Sequence, residues 1–152
     1  MKLNHNDGDY EGETIRGIPN GHGKISYKDG AKYEGEWVNG MRNGSGKFNH
    51  PGGEIYIGEF RNGEAFGFGK YYSIQKGSAN TDCLSGHFED GVSKGFIIEE
   101  MGDGSIQYSF SEKGITQGLV VKISADKTTA QIFSVKDNEQ VGDSIDLEKV
   151  KS

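Results

Sequence analysis

Three glycine-lysine pairs in the first half of the chain have the residue types of a phosphate-binding loop. They are Gly23-Lys24, Gly46-Lys47 and Gly69-Lys70. A nucleotide-binding loop also requires a glycine five residues before the pair and a serine or threonine directly after it. The earlier positions hold Ile18, Met41 and Glu64, and no serine or threonine follows any of these lysines. The spacing therefore argues against a nucleotide site.

Histidine and cysteine side chains could ligate a metal, but their positions do not favour one. The histidines are His5, His22, His50 and His87, and Cys83 is the single cysteine. None of them lies at a spacing typical of a zinc site. A lone cysteine cannot form an internal disulfide and is typical of a reducing compartment. We expect neither a metal site nor a cofactor.

Glutamates recur at two repeated positions, where they could serve as acids or bases. They are Glu11, Glu13, Glu34, Glu36 and Glu59. Their alternation with glycines and aromatic residues indicates a solvated strand face, where carboxyl pKa values stay ordinary and general acid-base catalysis is poorly served. No combination of nucleophile, base and orienting acid stands out. The sequence therefore predicts a protein that is not an enzyme.

The composition of the 152-residue chain is typical of a repeat protein with little core. It has 25 glycines, 2 prolines and 11% aromatic residues, and its formal net charge is −6. This charge gives no general attraction to nucleic acids or to anionic lipids. The first residues lack an apolar signal segment, and no run of 18 apolar residues could span a bilayer. We therefore expect a soluble, cytoplasmic protein that does not bind nucleic acid.

A repeat of 23 residues organises the elements that carry these side chains. Tyr-x-Gly-x motifs begin at Tyr10, Tyr33 and Tyr56, and each is followed by a Gly-x-Gly-Lys segment. Looser units follow after a polar insertion, Ser73–Asp82, and the fifth unit is expected to keep its aromatic positions at Tyr108 and Phe110. The predicted organisation is a lead-in (1–9), repeats over 10–123 (10–32, 33–55, 56–83 with the insertion, 84–107 and a degenerate 108–123), and a degenerate hairpin or cap (124–152).

The second unit, from Tyr33 to Gly46, resembles the MORN (membrane occupation and recognition nexus) repeat, Y-x-G-x-W-x-N-G-x-x-x-x-G-x-G, at every defined position. The first and third units are similar, although Thr14 stands where the family has tryptophan. The resemblance is clear over about residues 10–75 and fainter to about 123. It implies a scaffold or adaptor module, found in junctional, ciliary and lipid-kinase proteins and linked to phospholipid headgroups.

Each unit is predicted to form a β-hairpin, because Asn39-Gly40 and Asn62-Gly63 are strong signals for a tight turn between strands. Successive hairpins would form one elongated, twisted antiparallel sheet with a C-terminal capping segment. Strand alternation places Tyr33, Gly35 and Trp37 on one face. The bare glycine backbone would leave room for the rings. On the other face, the prediction pairs Glu36 with Lys47 and Glu59 with Lys70 across strands.

Two C-terminal segments, Phe96-Ile97-Ile98 and 119–123, would place apolar side chains on both faces of the sheet, so something should cover the second face. The candidates are the tail, 144–150, or a partner subunit. The tail would also protect the open sheet edge.

The aromatic side chains on the glycine face are the predicted binding site for a partner protein, since exposed rings with a polar rim mark interaction surfaces. They are Tyr10, Tyr27, Tyr33, Trp37, Phe48, Tyr56, Phe60 and Tyr71. An equally simple interpretation is that these rings only pack the sheet. The first hypothesis for function is a non-catalytic scaffold that binds a partner segment along this face. Such a scaffold could also be one subunit of an oligomer or a larger assembly.

The alternative hypothesis is a peripheral phospholipid-binding module. Its headgroup ligands would be Lys24, Lys28, Lys32, Arg42 and Lys47. Residues 10–75 hold 8 basic and 8 acidic side chains, so the charge balance speaks against this hypothesis. A third hypothesis, a secreted effector or a glycan-binding protein, rests only on the ability of aromatic rings to stack on sugars.

Overall fold

The computed structural model describes residues 1–74 and 81–148, and all regular structure in those ranges is β-strand. Thirteen strands pair antiparallel in chain order to form one open sheet, which confirms the predicted fold class. The strands are β1 (Lys2–His5), β2 (Gly8–Ile15), β3 (Ile18–Tyr27), β4 (Lys32–Val38), β5 (Met41–Asn49), β6 (Ile55–Arg61), β7 (Glu64–Ile74), β8 (Thr81–Glu89), β9 (Val92–Glu100), β10 (Ile106–Glu112), β11 (Ile115–Ile123), β12 (Thr129–Lys136) and β13 (Glu139–Glu148).

Two-residue turns close the hairpins at one end of the sheet, and both residues of each turn have positive φ. This is the type I′ geometry, whose twist matches that of the strands it joins. The turns are Arg16-Gly17, Asn39-Gly40, Asn62-Gly63, Asp90-Gly91, Lys113-Gly114 and Asp137-Asn138. Each later turn also bonds to the preceding hairpin, as when the Gly63 N–H donates to the Arg42 carbonyl at 2.9 Å. These bonds fix the stacking of one hairpin on the next.

Residues 124–148 continue the sheet and cover neither of its faces. The β12–β13 hairpin pairs with β11 and places β13 at the edge. The expectation that the tail covers the second face is therefore wrong for the described part of the tail, although a strand does form there. Most of the polar insertion, residues 75–80, lies outside the described residues. Within residues 1–74 and 81–148, no helix has the length and apolarity needed to span a membrane.

The strand pairing aligns side chains in rows across the sheet, because directly opposed residues point to the same face. On the face that carries the predicted rings, called here the aromatic face, one row is apolar from β1 to β8 and polar from β9 to β13. In chain order it is Leu3, Tyr10, Ile25, Tyr33, Phe48, Tyr56, Tyr71, Leu84, Glu99, Gln107, Lys122, Gln131 and Asp146.

The other face, called here the outer face, shows the opposite pattern in its neighbouring row. In chain order it is Lys2, Glu11, Lys24, Glu34, Lys47, Ile57, Lys70, Ser85, Ile98, Tyr108, Val121, Ile132 and Ile145. The first half is therefore charged and the second half apolar. On the aromatic face of the second half, Ile97, Val120 and Val135 are also buried, so both faces carry apolar side chains there, as predicted.

The pairing corrects two details of the sequence interpretation. Tyr108 and Phe110 do not hold the aromatic-face positions of the fifth unit, since Gln107 continues the row that contains Tyr33. The predicted cross-strand ion pairs are also wrong, because Lys47 lies opposite Glu34 and Lys70 lies opposite Ile57. A bulge between Gly35 and Trp37 shifts the register by two residues, which the spacing of residues does not reveal.

Candidate binding surface

A tyrosine ring lies against bare glycine backbone in each of the first three repeats. In the first, a β-carbon at Gly23 would lie only 2.5 Å from Cζ of Tyr10. Because real β-carbons do not approach other atoms so closely, the ring needs glycine at this position. The equivalent pairs are Gly46 with Tyr33 and Gly69 with Tyr56. The prediction that glycine makes room for the rings is confirmed.

The glycines themselves form a continuous row across seven strands, β2 to β8. They are Gly12, Gly23, Gly35, Gly46, Gly58, Gly69 and Gly86. The row ends at Ile97 on β9, whose Cδ1 would meet a β-carbon at Gly86. An aliphatic side chain therefore replaces the tyrosine ring where the repeat pattern loosens.

The tyrosine hydroxyl also stabilises the bulge in each of these repeats. The Tyr33 hydroxyl donates to the Glu36 carbonyl at 2.9 Å, at the point where the register shifts. The Glu36 carboxylate reaches across to Gly44, which has a φ of +66° and no side chain to obstruct it. Equivalent bonds run from Tyr10 to Glu13 at 2.7 Å and from Tyr56 to Glu59 at 3.1 Å. The repeated glutamate therefore helps to set the backbone geometry of the hairpin, through its carbonyl and through its carboxylate.

The buried rings pack edge to face in a zigzag along the sheet. Trp37 contacts Tyr10 and Tyr33 with ring centroids 5.2 and 5.3 Å apart. The sequence of contacts continues through Phe60 and Tyr56 to Phe88, each pair at 5.0–5.2 Å. Such pairs contribute about 0.5–1.5 kcal/mol each beyond the burial of their area. Trp37 is fixed further, because its Nε1 donates to the Gly23 carbonyl at 3.1 Å.

The eight predicted binding residues fall into two groups by exposure. Five are buried, with exposed fractions of 5% or less. These are Tyr10, Tyr33, Trp37, Tyr56 and Phe60. The other three, Tyr27, Phe48 and Tyr71, are half-buried and lie at the border of the ring cluster. The binding role of all eight stays a prediction, but only the half-buried group presents appreciable surface to a partner.

The half-buried rings, together with a histidine, form a second line of aromatic contacts, called here the surface ring row. Phe48 lies 6.4 Å from Tyr27 and 4.7 Å from His50, and His50 lies 5.9 Å from Tyr71. Burial raises the pKa of both Tyr27 and Tyr71, so their hydroxyls remain neutral donors at pH 7. The sequence interpretation did not include His50, whose only signal was its position two residues after Phe48.

Arg42 places a fixed positive charge beside this row. Its guanidinium carbon lies 4.7 Å from the Phe48 ring centroid and 5.6 Å from that of Phe60, and it donates to the Gly63 carbonyl. A groove of about 320 Å³ is lined by Arg42, Phe48, His50 and Tyr71, and it is bordered by Asp29 and Glu64. The groove therefore offers ring edges, the held Arg42 cation and two carboxylates, those of Asp29 and Glu64, within a short distance.

The basic residues of the lipid hypothesis do not form one unpaired cluster. Lys24 lies 3.8 Å from Glu11, and Lys28 lies 3.3 Å from Asp7. Arg42 is on the aromatic face with Phe48, whereas Lys24 and Lys47 lie in the outer-face row. Lys32 is also on the outer face, opposite Ser26 and Asn49.

In the part of the chain that the structure describes, no group of three or more His, Cys, Asp or Glu could hold a metal.

Comparison with known protein families identifies the repeats that form these rows. The model of the MORN repeat matches residues 10–32, 33–54 and 56–75. The chain contains three MORN repeats. No curated protein is significantly similar to it. MORN repeats in general are non-catalytic modules associated with protein or membrane binding.

The contacts above account for the MORN pattern in this chain. Tyrosine packs on the glycine of the next strand, the glutamate lies over the first glycine of Gly-x-Gly, and tryptophan or phenylalanine joins neighbouring tyrosines. In the fifth hairpin the tyrosine, glycine and tryptophan positions are Gln107, Ser109 and Ser111. Ser111 is buried and bonded to Ser93 at 2.9 Å, so small hydroxyl side chains replace the rings there.

A second candidate surface lies outside the matched repeats, on the outer face of β9–β13. Its exposed apolar side chains are Phe96, Ile98, Tyr108, Phe110, Leu119, Ile145 and Leu147, called here the outer patch. Sequence reasoning expected the tail or a partner subunit to cover Phe96, Ile98 and 119–123 here, but it did not include Tyr108, Phe110, Ile145 or Leu147 in that surface. The signal that would have found them is distance from the turn, which places Tyr108 on the opposite face from Tyr33.

Proposed function

We propose that this chain is a non-catalytic protein-binding module that holds an extended partner segment along the surface ring row of its MORN repeats. The proposal refines the general association of MORN repeats with protein or membrane binding. The observation that carries it is the half-buried line Tyr27, Phe48, His50 and Tyr71, with Arg42 held beside Phe48.

These groups have the features of a binding hot spot. Tyrosine and arginine are enriched in such sites, and a pre-positioned side chain loses little conformational freedom on binding. Arg42 is already fixed by the Gly63 carbonyl and by the rings, so it could meet a partner carboxylate or carbonyl without reordering. The partner segment favoured by this chemistry is extended, with apolar side chains for the groove and an acidic or carbonyl group for Arg42.

The rings that hold the sheet together must be left unchanged in a test of this site. We therefore choose Phe48→Ala with Tyr71→Ala, which removes half-buried rings and keeps Tyr33, Trp37 and Tyr56. Ile57→Ala is the matched control, because Ile57 is 45% exposed on the opposite face. Proteins captured from lysate by the wild type and by each variant are quantified by mass spectrometry. Peptides tiled along any captured protein are then titrated calorimetrically.

The expected result is one captured protein that the double variant loses and the Ile57→Ala variant retains. Its binding peptide should lose at least roughly tenfold in affinity for the double variant, since central interface rings commonly contribute more than 1 kcal/mol. If that peptide bound the double variant and the Ile57→Ala variant with equal affinity, the proposed site would be refuted.

A further inference from the structure

The outer patch gathers seven exposed apolar side chains on four strands at the C-terminal end of the sheet, and its Phe96 is the most exposed large apolar residue that the structure describes. Phe96 is 81% exposed, Leu119 is 66% exposed and Ile145 is 63% exposed. Phe96 and Phe110 already contact each other edge to face, with centroids 6.1 Å apart. The seven side chains together present on the order of 700 Å² to solvent, whereas the largest apolar patch of a typical monomer is roughly 300–600 Å². A surface of this size calls for an occupant.

The patch is also nearly free of charge. The row from Ile98 through Tyr108, Val121 and Ile132 to Ile145 contains no charged side chain. The adjacent row contains Ile106, Ile123, Ala130 and Leu147, with Glu100 at its β9 end. By contrast, the same face of β1–β5 carries alternating lysine and glutamate. Burying those charges would cost free energy, so an apolar occupant is confined to β9–β13.

We propose that the occupant is a second copy of this chain, packed face to face through the outer patch. A two-fold axis brings one patch against its own copy, which requires only that the patch complement itself. An apolar and nearly uncharged sheet face meets that requirement. The exposed area is close to the roughly 800 Å² per partner of a standard stable interface. Two such sheets pack about 10 Å apart, with the side chains of both inner faces filling the space.

End-to-end assembly through the free edges fits the structure less well. If β13 of one copy paired with β1 of another in the register that continues the rows, Leu3 would lie beside Asp146. On the outer face, Lys2 would lie beside Ile145. The edges therefore mismatch on both faces, whereas the patch matches itself.

The geometry has a consequence for binding, which rests on the function proposed above. The outer patches face each other in this dimer, so both aromatic faces point away from the interface. The dimer then presents two surface ring rows and can hold two partner segments at once. Two linked sites raise the effective concentration for a partner that carries repeated segments.

The test is sedimentation equilibrium of the full chain, whose mass is 16.6 kDa. The wild type is expected to sediment at twice that mass. Leu119→Glu and Phe96→Lys place a charge on highly exposed positions, so both variants should fold normally and yet weaken the dimer by roughly thirtyfold or more. Phe96→Leu keeps an apolar side chain and should retain the dimer. Ile15→Glu is the matched control, because Ile15 is 59% exposed on β2, far from the patch.

Circular dichroism of each variant shows whether it has folded. A folded Leu119→Glu or Phe96→Lys chain that still sediments as a dimer would overturn the proposal. A monomeric wild type would also overturn the proposal. If an apolar dye then bound to the exposed patch, its occupant would be a different protein or a lipid. Because Phe48→Ala with Tyr71→Ala alters the opposite face, loss of partner capture with an intact dimer separates this inference from the proposed function.

Discussion

The Tyr33 ring lies against Gly46 on the neighbouring strand, and its hydroxyl reaches back to the Glu36 carbonyl at 2.9 Å. One side chain thereby fills the space above the glycine row and stabilises the bulge of its own strand. The relationship repeats with Tyr10 and Tyr56, so three tyrosines serve both packing and hydrogen bonding.

Gly46→Ala is expected to lower the free energy of unfolding by about 1–3 kcal/mol, because the added methyl group overpacks the Tyr33 ring. Ser45→Ala, on the same strand but exposed, should change it by less than about 0.5 kcal/mol. Urea unfolding measures both. Combining Gly46→Ala with Tyr33→Leu should show a coupling, since one contact is removed twice. Strict additivity of the two changes would mean that the ring does not depend on glycine.

Trp37→Phe is expected to lower the stability of the protein slightly, whereas Trp37→Ala is expected to lower it severely. Phe60 and Phe88 contact neighbouring tyrosines in the same way as Trp37, so phenylalanine fits the position and loses mainly the bond to the Gly23 carbonyl. We expect a cost of about 1 kcal/mol for that bond and about 3–5 kcal/mol for removal of the ring. Thermal unfolding followed by circular dichroism ranks the variants. A Phe variant as unstable as the Ala variant would contradict the equivalence of these positions.

Alkaline pH should destabilise the protein through its buried tyrosines. Burial raises the pKa of Tyr56 to about 12, and the nearby Glu59 adds to the effect. An unfolded tyrosine ionises near pH 10. The stability contributed by neutral Tyr56 is therefore fully present below about pH 10 and is lost as the pH rises towards 12. Urea midpoints measured from pH 8 to 12 should fall across this window and fall less steeply in Tyr56→Phe. Identical pH profiles of the wild type and Tyr56→Phe would show that Tyr56 ionises as easily in the folded chain as in the unfolded one.

How far the sequence could predict this structure depends on the kind of signal. The turn at Asn39-Gly40 and the alternation through Tyr33, Gly35 and Trp37 are local, and they correctly predicted the hairpins and the composition of the aromatic face. The pairing of Glu36 with Lys47 failed, because the turn sets Trp37 opposite Arg42 and the bulge beyond it brings Lys47 opposite Glu34. That bulge is stabilised by the bond from the Tyr33 hydroxyl to the Glu36 carbonyl. Spacing alone does not show such a contact between side chain and backbone.

Assignment of the fifth unit failed for a different reason. The first tyrosine of each clear repeat stands six residues before its turn, and that position holds Gln107 in the fifth unit, next to Tyr108. Matching by residue type selected the tyrosine, whereas a strand fixes its faces by distance from the turn. The burial of the rings could not be predicted from the sequence either. Whether Trp37 faces solvent or other rings depends on how strands stack, and the structure shows it 2% exposed.

Binding to anionic vesicles should be weak and should not depend on the basic residues of the first two repeats. Lys24 and Lys28 already lie near Glu11 and Asp7, and the chain carries a net charge of −6. We expect the wild type and a Lys24→Gln, Lys28→Gln, Lys47→Gln variant to remain equally in the supernatant when sedimented with phosphatidylserine vesicles at physiological salt. An anionic surface attracts each unpaired lysine by only about 1 kcal/mol, so these three lysines, two of them ion-paired, should add little on a net acidic chain. Binding of the wild type that the variant or added salt abolishes would favour a lipid-binding function over the protein-binding one proposed here.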